Sequence, residues 1–218
     1  MISLVFIALI FIAAYVASGF IRKHDVALYV AATVLSALAL VFRTVPATLP
    51  FNRGYLGFSL FYVVMIVGLF SRESVIFKRL SSVRQVLSIL GFIVLTPHAV
   101  FFVLDRIAGD ASLDPFGVAA YLIMVPLFVT SFRNPPEGPA RMKWKKLQRF
   151  AYVVYLAVFV HLVLVSELPN LAMYIVLFVP YLVYKPIHFF RHERPYYLAM
   201  RRKMAESSRK GGKKAGEA

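Results

Sequence analysis

Seven times along this chain, a stretch of 17 or more residues passes without a single Asp, Glu, Lys or Arg: 1–21, 26–42, 54–71, 86–104, 115–132, 150–166 and 168–184. Each is about the length a helix needs to cross the hydrocarbon of a bilayer. In lipid a backbone can satisfy its own polar groups only as a helix or a closed barrel. Stretches this long and this uniformly apolar specify helices, because a barrel strand is about half as long and alternates polar with apolar positions. The expected fold is therefore an all-α integral membrane protein, a bundle of about seven transmembrane helices. Composition agrees: of 218 residues, 60% are hydrophobic and 16% charged, against nearer half and a quarter in a soluble domain. Twenty Phe and 12 Tyr exclude disorder, and the absence of Cys excludes disulfides, iron–sulfur clusters and thiolate metal sites.

Lys and Arg outnumber Asp and Glu by 25 to 10. In a soluble protein that excess would point to nucleic acid. Sorted by alternate loops, however, all but three of the 25 cations fall on one side; the exceptions are Arg43, Arg53 and Arg106. That asymmetry is the positive-inside pattern, which places the N-terminus outside and the C-terminus in the cytoplasm, with no nucleic-acid partner required. The first span has no cation before it and Arg22 and Lys23 after it, the reverse of a cleavable signal, so it is read as a retained helix. Residues 187–218, basic and without apolar period, read as a disordered cytoplasmic tail beside anionic lipid. Residues 1–53 form N-terminal transmembrane helices and 54–186 the helical core. Segments 71–85 and 133–149 read as cytoplasmic loops, the second stopped by its prolines and anchored by Trp144. Pro97 is expected to kink its helix just before His98.

Ionisable side chains within a span are functional candidates, because hydrocarbon makes them costly. Only His98 and His161 lie well inside spans. His24, His188 and His192 lie at the cytoplasmic edge, and every carboxylate sits at a span end or in a loop, which disfavours an ion pump. His98 is twelve residues past Val86 and His161 eleven past Phe150, which places both at about 17 Å from the inner edge. Two imidazoles at one depth can ligate a haem iron from both faces, in a setting rich in Phe. They can also be unrelated histidines bonded to neighbouring helices, or ligands of another metal. Zinc would want more ligands than two.

The run from Arg84 and Gln85 through Gly91 to Pro97 and His98 resembles the Arg-rich helix start and deep His of the ferric-reductase-like transmembrane family. Trp144, Leu147, Tyr152 and His161 resemble a Trp-x-x-Leu-His-x-x-x-Tyr segment followed by a deep His. That segment is found in the branch that forms the haem-binding membrane subunit of the bacterial protein-methionine-sulfoxide reductase system. Thr130 and Ser131 fit as well, and the likeness covers about residues 54–186. It implies haem b ligated by His98 and His161, and an electron-transfer role in a bacterial inner or plasma membrane. The donor would be an inner-side quinol or flavin, and the acceptor an extracytoplasmic soluble reductase. In the family a second ligand level lies thirteen residues nearer the cytoplasm; here those positions are Gln148 and Gln85. The expectation is one haem rather than two, with His24, His188 and His192 the only histidines left to rebuild an inner site.

Around this core, Arg106 is the first candidate to pair a haem propionate, with Arg43 and Arg53 as further outer cations; the alternative for Arg106 is a surface pair with Asp105. Trp144, Lys145 and Arg149 can contact a flavin phosphate or a quinone at the inner face, or serve only as membrane anchors and topology charges. Two other functions share the fold: a direct reductase of ferric or cupric complexes, and a haem-free scaffold or transporter.

Overall fold

The computed structural model describes residues 2–109, 114–132 and 140–188. Among these the chain is helical throughout, with no strand. It divides into two compact units, 1–175 and 176–218. In chain order the helices are α1 (Ile2–Val16), α2 (Ser18–Lys23), α3 (Asp25–Val41), α4 (Leu49–Asn52), α5 (Tyr55–Ile66), α6 (Val75–Ala108), α7 (Pro115–Ser131), α8 (Ala140–Gln148), α9 (Phe150–Val165) and α10 (Leu168–His188).

Two helical stretches are long and apolar enough to cross a membrane: α6, and α8 running into α9 over Ala140–Val165. A third arises if the bent pair Pro46–Asn52 and Tyr55–Leu69, angled by 45°, is one span. Four shorter apolar helices accompany them, Ile2–Val16, Asp25–Val41, Pro115–Ser131 and Asn170–Tyr184. Their outward faces carry exposed aliphatics, such as Val5, Leu9 and Ile12 on α1 and Val26, Val30 and Val34 on α3. This is a membrane protein.

Segment 71–85, expected as a loop, is helical from Val75 onward. Ser74 caps the helix by accepting from the Phe77 N–H at 3.1 Å, and no Gly or Pro interrupts the chain between Val75 and Leu90. The result is a 34-residue rod of about 51 Å. It exceeds a hydrocarbon core of about 30 Å, so its cationic first turns can stand outside the apolar slab. Helix α8 likewise occupies residues expected as loop.

At a few points around α6 small residues let helices approach closely, as is common between helices in lipid. A Cβ on Gly57 would lie 2.8 Å from Leu95 Cβ, and one on Gly91 3.2 Å from the Phe61 ring, so glycine lets α5 and α6 close together. Pro97 lacks the N–H that would bond Ile93 O, yet α6 runs on through it. Ser36 of α3 donates its hydroxyl to that carbonyl at 3.1 Å, replacing the missing bond from a neighbouring helix. Ser59, fully buried, ties α5 to α1 by donating to Ser3 O at 3.2 Å.

Candidate functional site

Helices α6 and α9 bring the two deep histidines face to edge, their ring centres 6.4 Å apart and their planes at 60°. Each ring is held from behind through Nδ1. His98 Nδ1–H donates to the backbone carbonyl of Asn52 at 2.9 Å, and His161 Nδ1–H to the carboxylate Oδ2 of Asp114. An imidazole whose Nδ1 carries the donated proton presents Nε2 as a lone pair, the form a metal takes. The His161–Asp114 pair is largely sheltered, with side-chain exposures of 20% and 12%.

The acceptors arise from local structure. Asn52 ends α4, and the chain turns at Gly54 with φ +70° before α5 begins. A Cβ there would be strained and would stand 3.2 Å from the His98 ring. Asp114 is the N-cap of α7, accepting from Phe116 N at 3.2 Å and Gly117 N at 3.1 Å, with Pro115 in the first turn. A Cβ on Gly117 would lie 2.5 Å from Asp114 Oδ2 and 3.0 Å from His161 Nδ1, so glycine is what leaves room for the pair. Asn52 donates its own amide to Arg43 O at 2.9 Å and Thr48 Oγ1 at 3.0 Å. Its Oδ1 is buried without a partner.

Of the outer cations, Arg43 is committed to Asp105, with Nη2 2.6 Å from both carboxylate oxygens and its guanidinium 4.6 Å over Phe101. Asp105 is therefore clasped by Arg43 rather than by Arg106, which stands exposed in the last turn of α6. Arg53, also exposed, follows Asn52 in sequence.

Thirteen residues before each histidine, on α6 and at the end of α8, stand amides instead of imidazoles. Gln85 donates its amide to Ser131 O, and Gln148 donates to Thr130 Oγ1 at 3.1 Å. Both therefore fasten to the end of α7. Together with Arg84, Phe92, Phe128 and Trp144 they line a cavity of about 410 Å³. The Trp144 indole N–H is buried and has no acceptor. Lys145 and Arg149 flank this region on α8 and at the α8–α9 junction but are not part of the cavity wall. His24 joins α2 to α3, with Nδ1 3.0 Å from Phe20 O and its ring 4.2 Å from the Phe20 ring. His188 ends α10, and His192 lies outside the described residues. Among the described residues no three His, Cys, Asp or Glu side chains gather closely enough to hold a metal ion.

Sequence reasoning missed Asn52, Asp114, Gly54 and Gly117. Asp114 had a signal: Asp followed by Pro marks a helix start. The Asn52 carbonyl has none, because any residue there offers one.

No protein-family model matches the chain, and no solved structure matches it. The chain is similar to the magnetosome protein MamZ of Magnetospirillum gryphiswaldense, at 28% identity over 103 residues. The match takes in 43% of this chain and 16% of MamZ.

Proposed function

We propose that this protein is a haem-b electron-transfer subunit of the ferric-reductase-like kind, with one haem held between His98 and His161. The observation that carries the reading is the pair of facing imidazoles with both Nδ1 protons engaged. A metal coordinated through Nε2 lies about 3.2 Å from the ring centre, so two rings on opposite sides stand about 6.4 Å apart. The observed separation is 6.4 Å. Two nitrogen donors with oxygen-bonded backs, and no third metal ligand among the described residues, suit a haem iron. Held by His98 and His161, the haem would supply one-electron transfer.

The chain's own residues fix the rings and set their basicity. Asp114 makes His161 the more electron-rich donor, while the neutral Asn52 carbonyl leaves His98 less so. Arg53 and Arg106 are the exposed cations left for a propionate, since Arg43 is paired with Asp105. In this reading the seven apolar stretches are seven spans of a bacterial inner or plasma membrane, N-terminus outside. Electrons pass from an inner-side quinol or flavin to an extracytoplasmic acceptor, either a soluble methionine sulfoxide reductase subunit or, as a second reading favoured by the exposed Arg53 and Arg106, an anionic ferric or cupric complex.

The test is colour. Purified full-length protein should show a redox-responsive Soret band and a pyridine haemochrome of about one haem per chain. Colourless protein from haem-replete cells would refute the reading and leave a scaffold or transporter. With no native Cys, single-cysteine labelling from either side checks the seven-pass topology directly.

A further inference from the structure

We infer that the outward side of α8, with the cationic turns of α6 before Val86, is a docking surface for anionic phospholipid headgroups. The stretch Ala140–Val165 rises about 39 Å, about 9 Å more than a hydrocarbon core of about 30 Å. Its charges are confined to one end: every Lys and Arg falls within 140–149, and 150–165 has none. The uncharged part therefore takes the hydrocarbon, and α8 stands at headgroup level. Helix α6 repeats the arrangement, with Lys78, Arg79 and Arg84 all before Val86. The two cationic ends share a depth, because Gln85 of α6 and Gln148 of α8 both fasten to the end of α7, at Ser131 and Thr130.

Helix α8 is two-sided. Trp144 and Gln148 line the cavity and Leu147 packs on the core between α7 and α9, whereas Arg141, Lys143 and Lys146 are exposed. Neither 140–153 nor 75–88 contains an Asp or Glu, so neither segment neutralises its own cations. Arg79 is already oriented, its Nη1 donating to Tyr15 O at 3.2 Å and its guanidinium 4.8 Å over the Tyr15 ring. A phospholipid of net negative charge brings the missing charge to this depth, and cations at a membrane surface attract it. A zwitterionic lipid brings a phosphate together with its own ammonium, so the surface selects for net charge. An acidic soluble protein would have to displace lipid to reach the same level. Which leaflet is involved follows from the topology proposed above; the preference itself depends neither on that nor on haem.

Trp144, the sole tryptophan of the chain, sits on α8 among these cations, so its fluorescence reports on the lipid beside them. The full-length protein is reconstituted in phosphatidylcholine bilayers. An increasing fraction of the lipid is then replaced by phosphatidylglycerol, or by phosphatidylcholine, dibrominated near the headgroup end of its acyl chains. Quenching should show phosphatidylglycerol associating about fivefold more strongly than phosphatidylcholine. In about 1 M sodium chloride, where the screening length is about 3 Å, the ratio should fall to about one. The triple substitution Arg141→Gln, Lys143→Gln and Lys146→Gln should remove most of the preference. The charge-keeping triple Arg141→Lys, Lys143→Arg and Lys146→Arg should retain it, both with helicity unchanged by circular dichroism. Equal quenching by the two lipids in the native protein would overturn the proposal and return the face to an acidic protein partner. A preference that survives the glutamine triple would overturn it as well. So would one that inorganic phosphate abolishes at matched ionic strength, since the ligand would then be free phosphate.

Discussion

Two levels of the same pair of helical stretches, α6 and α8 running into α9, carry different side chains. At one level α6 and α9 present imidazoles, His98 and His161, each oriented by an oxygen behind it. Thirteen residues earlier stand Gln85 on α6 and Gln148 at the end of α8, whose amides turn aside to bind the end of α7 beside a cavity. An amide oxygen is a poor ligand for haem iron and its nitrogen is none, so a change of side chain at two positions replaces imidazoles that could take a metal with a fastening. The helices can repeat the spacing while only one level carries imidazoles.

That contrast can be broken most sharply from the outer side. His98→Ala and His161→Ala should each abolish the Soret band, because a single axial ligand leaves the macrocycle weakly held; retention of full colour in either would refute the assignment. From the inner side, the double substitution Gln85→His with Gln148→His should raise the haemochrome ratio from about one to about two per chain. A ratio that stays at one would mean that the inner level is shaped against haem by more than its ligands. Next in size, Asp114→Ala should weaken haem retention about 10- to 100-fold, measured by transfer to apomyoglobin. Asp114→Asn should keep most of the retention but raise the midpoint potential, since a neutral acceptor makes His161 less basic and the ferric state less favoured. The smallest effect belongs to Ser36→Ala. Freeing the Ile93 carbonyl at Pro97 should cost about 0.6 kcal/mol, seen as a modest loss of stability in detergent unfolding with the spectrum unchanged.

Much of this contrast was legible in the residues themselves. Uncharged stretches specify helices because nothing else spans lipid, and two titratable groups within them stand out against that background. The equal depths of His98 and His161 followed from helical rise, and their ring centres stand 6.4 Å apart. The supporting contacts were not legible. His98 leans on a backbone carbonyl, which carries no sequence signal, and Gly54 and Gly117 matter for atoms they lack. The helical run of α6 before Val86 was hidden by its charges, which look like loop yet leave helix propensity intact. Arg43 and Asp105 are 62 residues apart, a pairing that only the packing of α3 on α6 discloses.

Asp114 serves two masters. The same carboxylate starts α7 and steadies His161, so the position is useful to a chain with or without a metal at that ring. Finding aspartate there in another protein is consequently no sign of redox chemistry by itself. The informative signature is the trio of Asp114, Gly117 and His161, since a side chain on the third residue of that helix would collide with both the cap carboxylate and the ring.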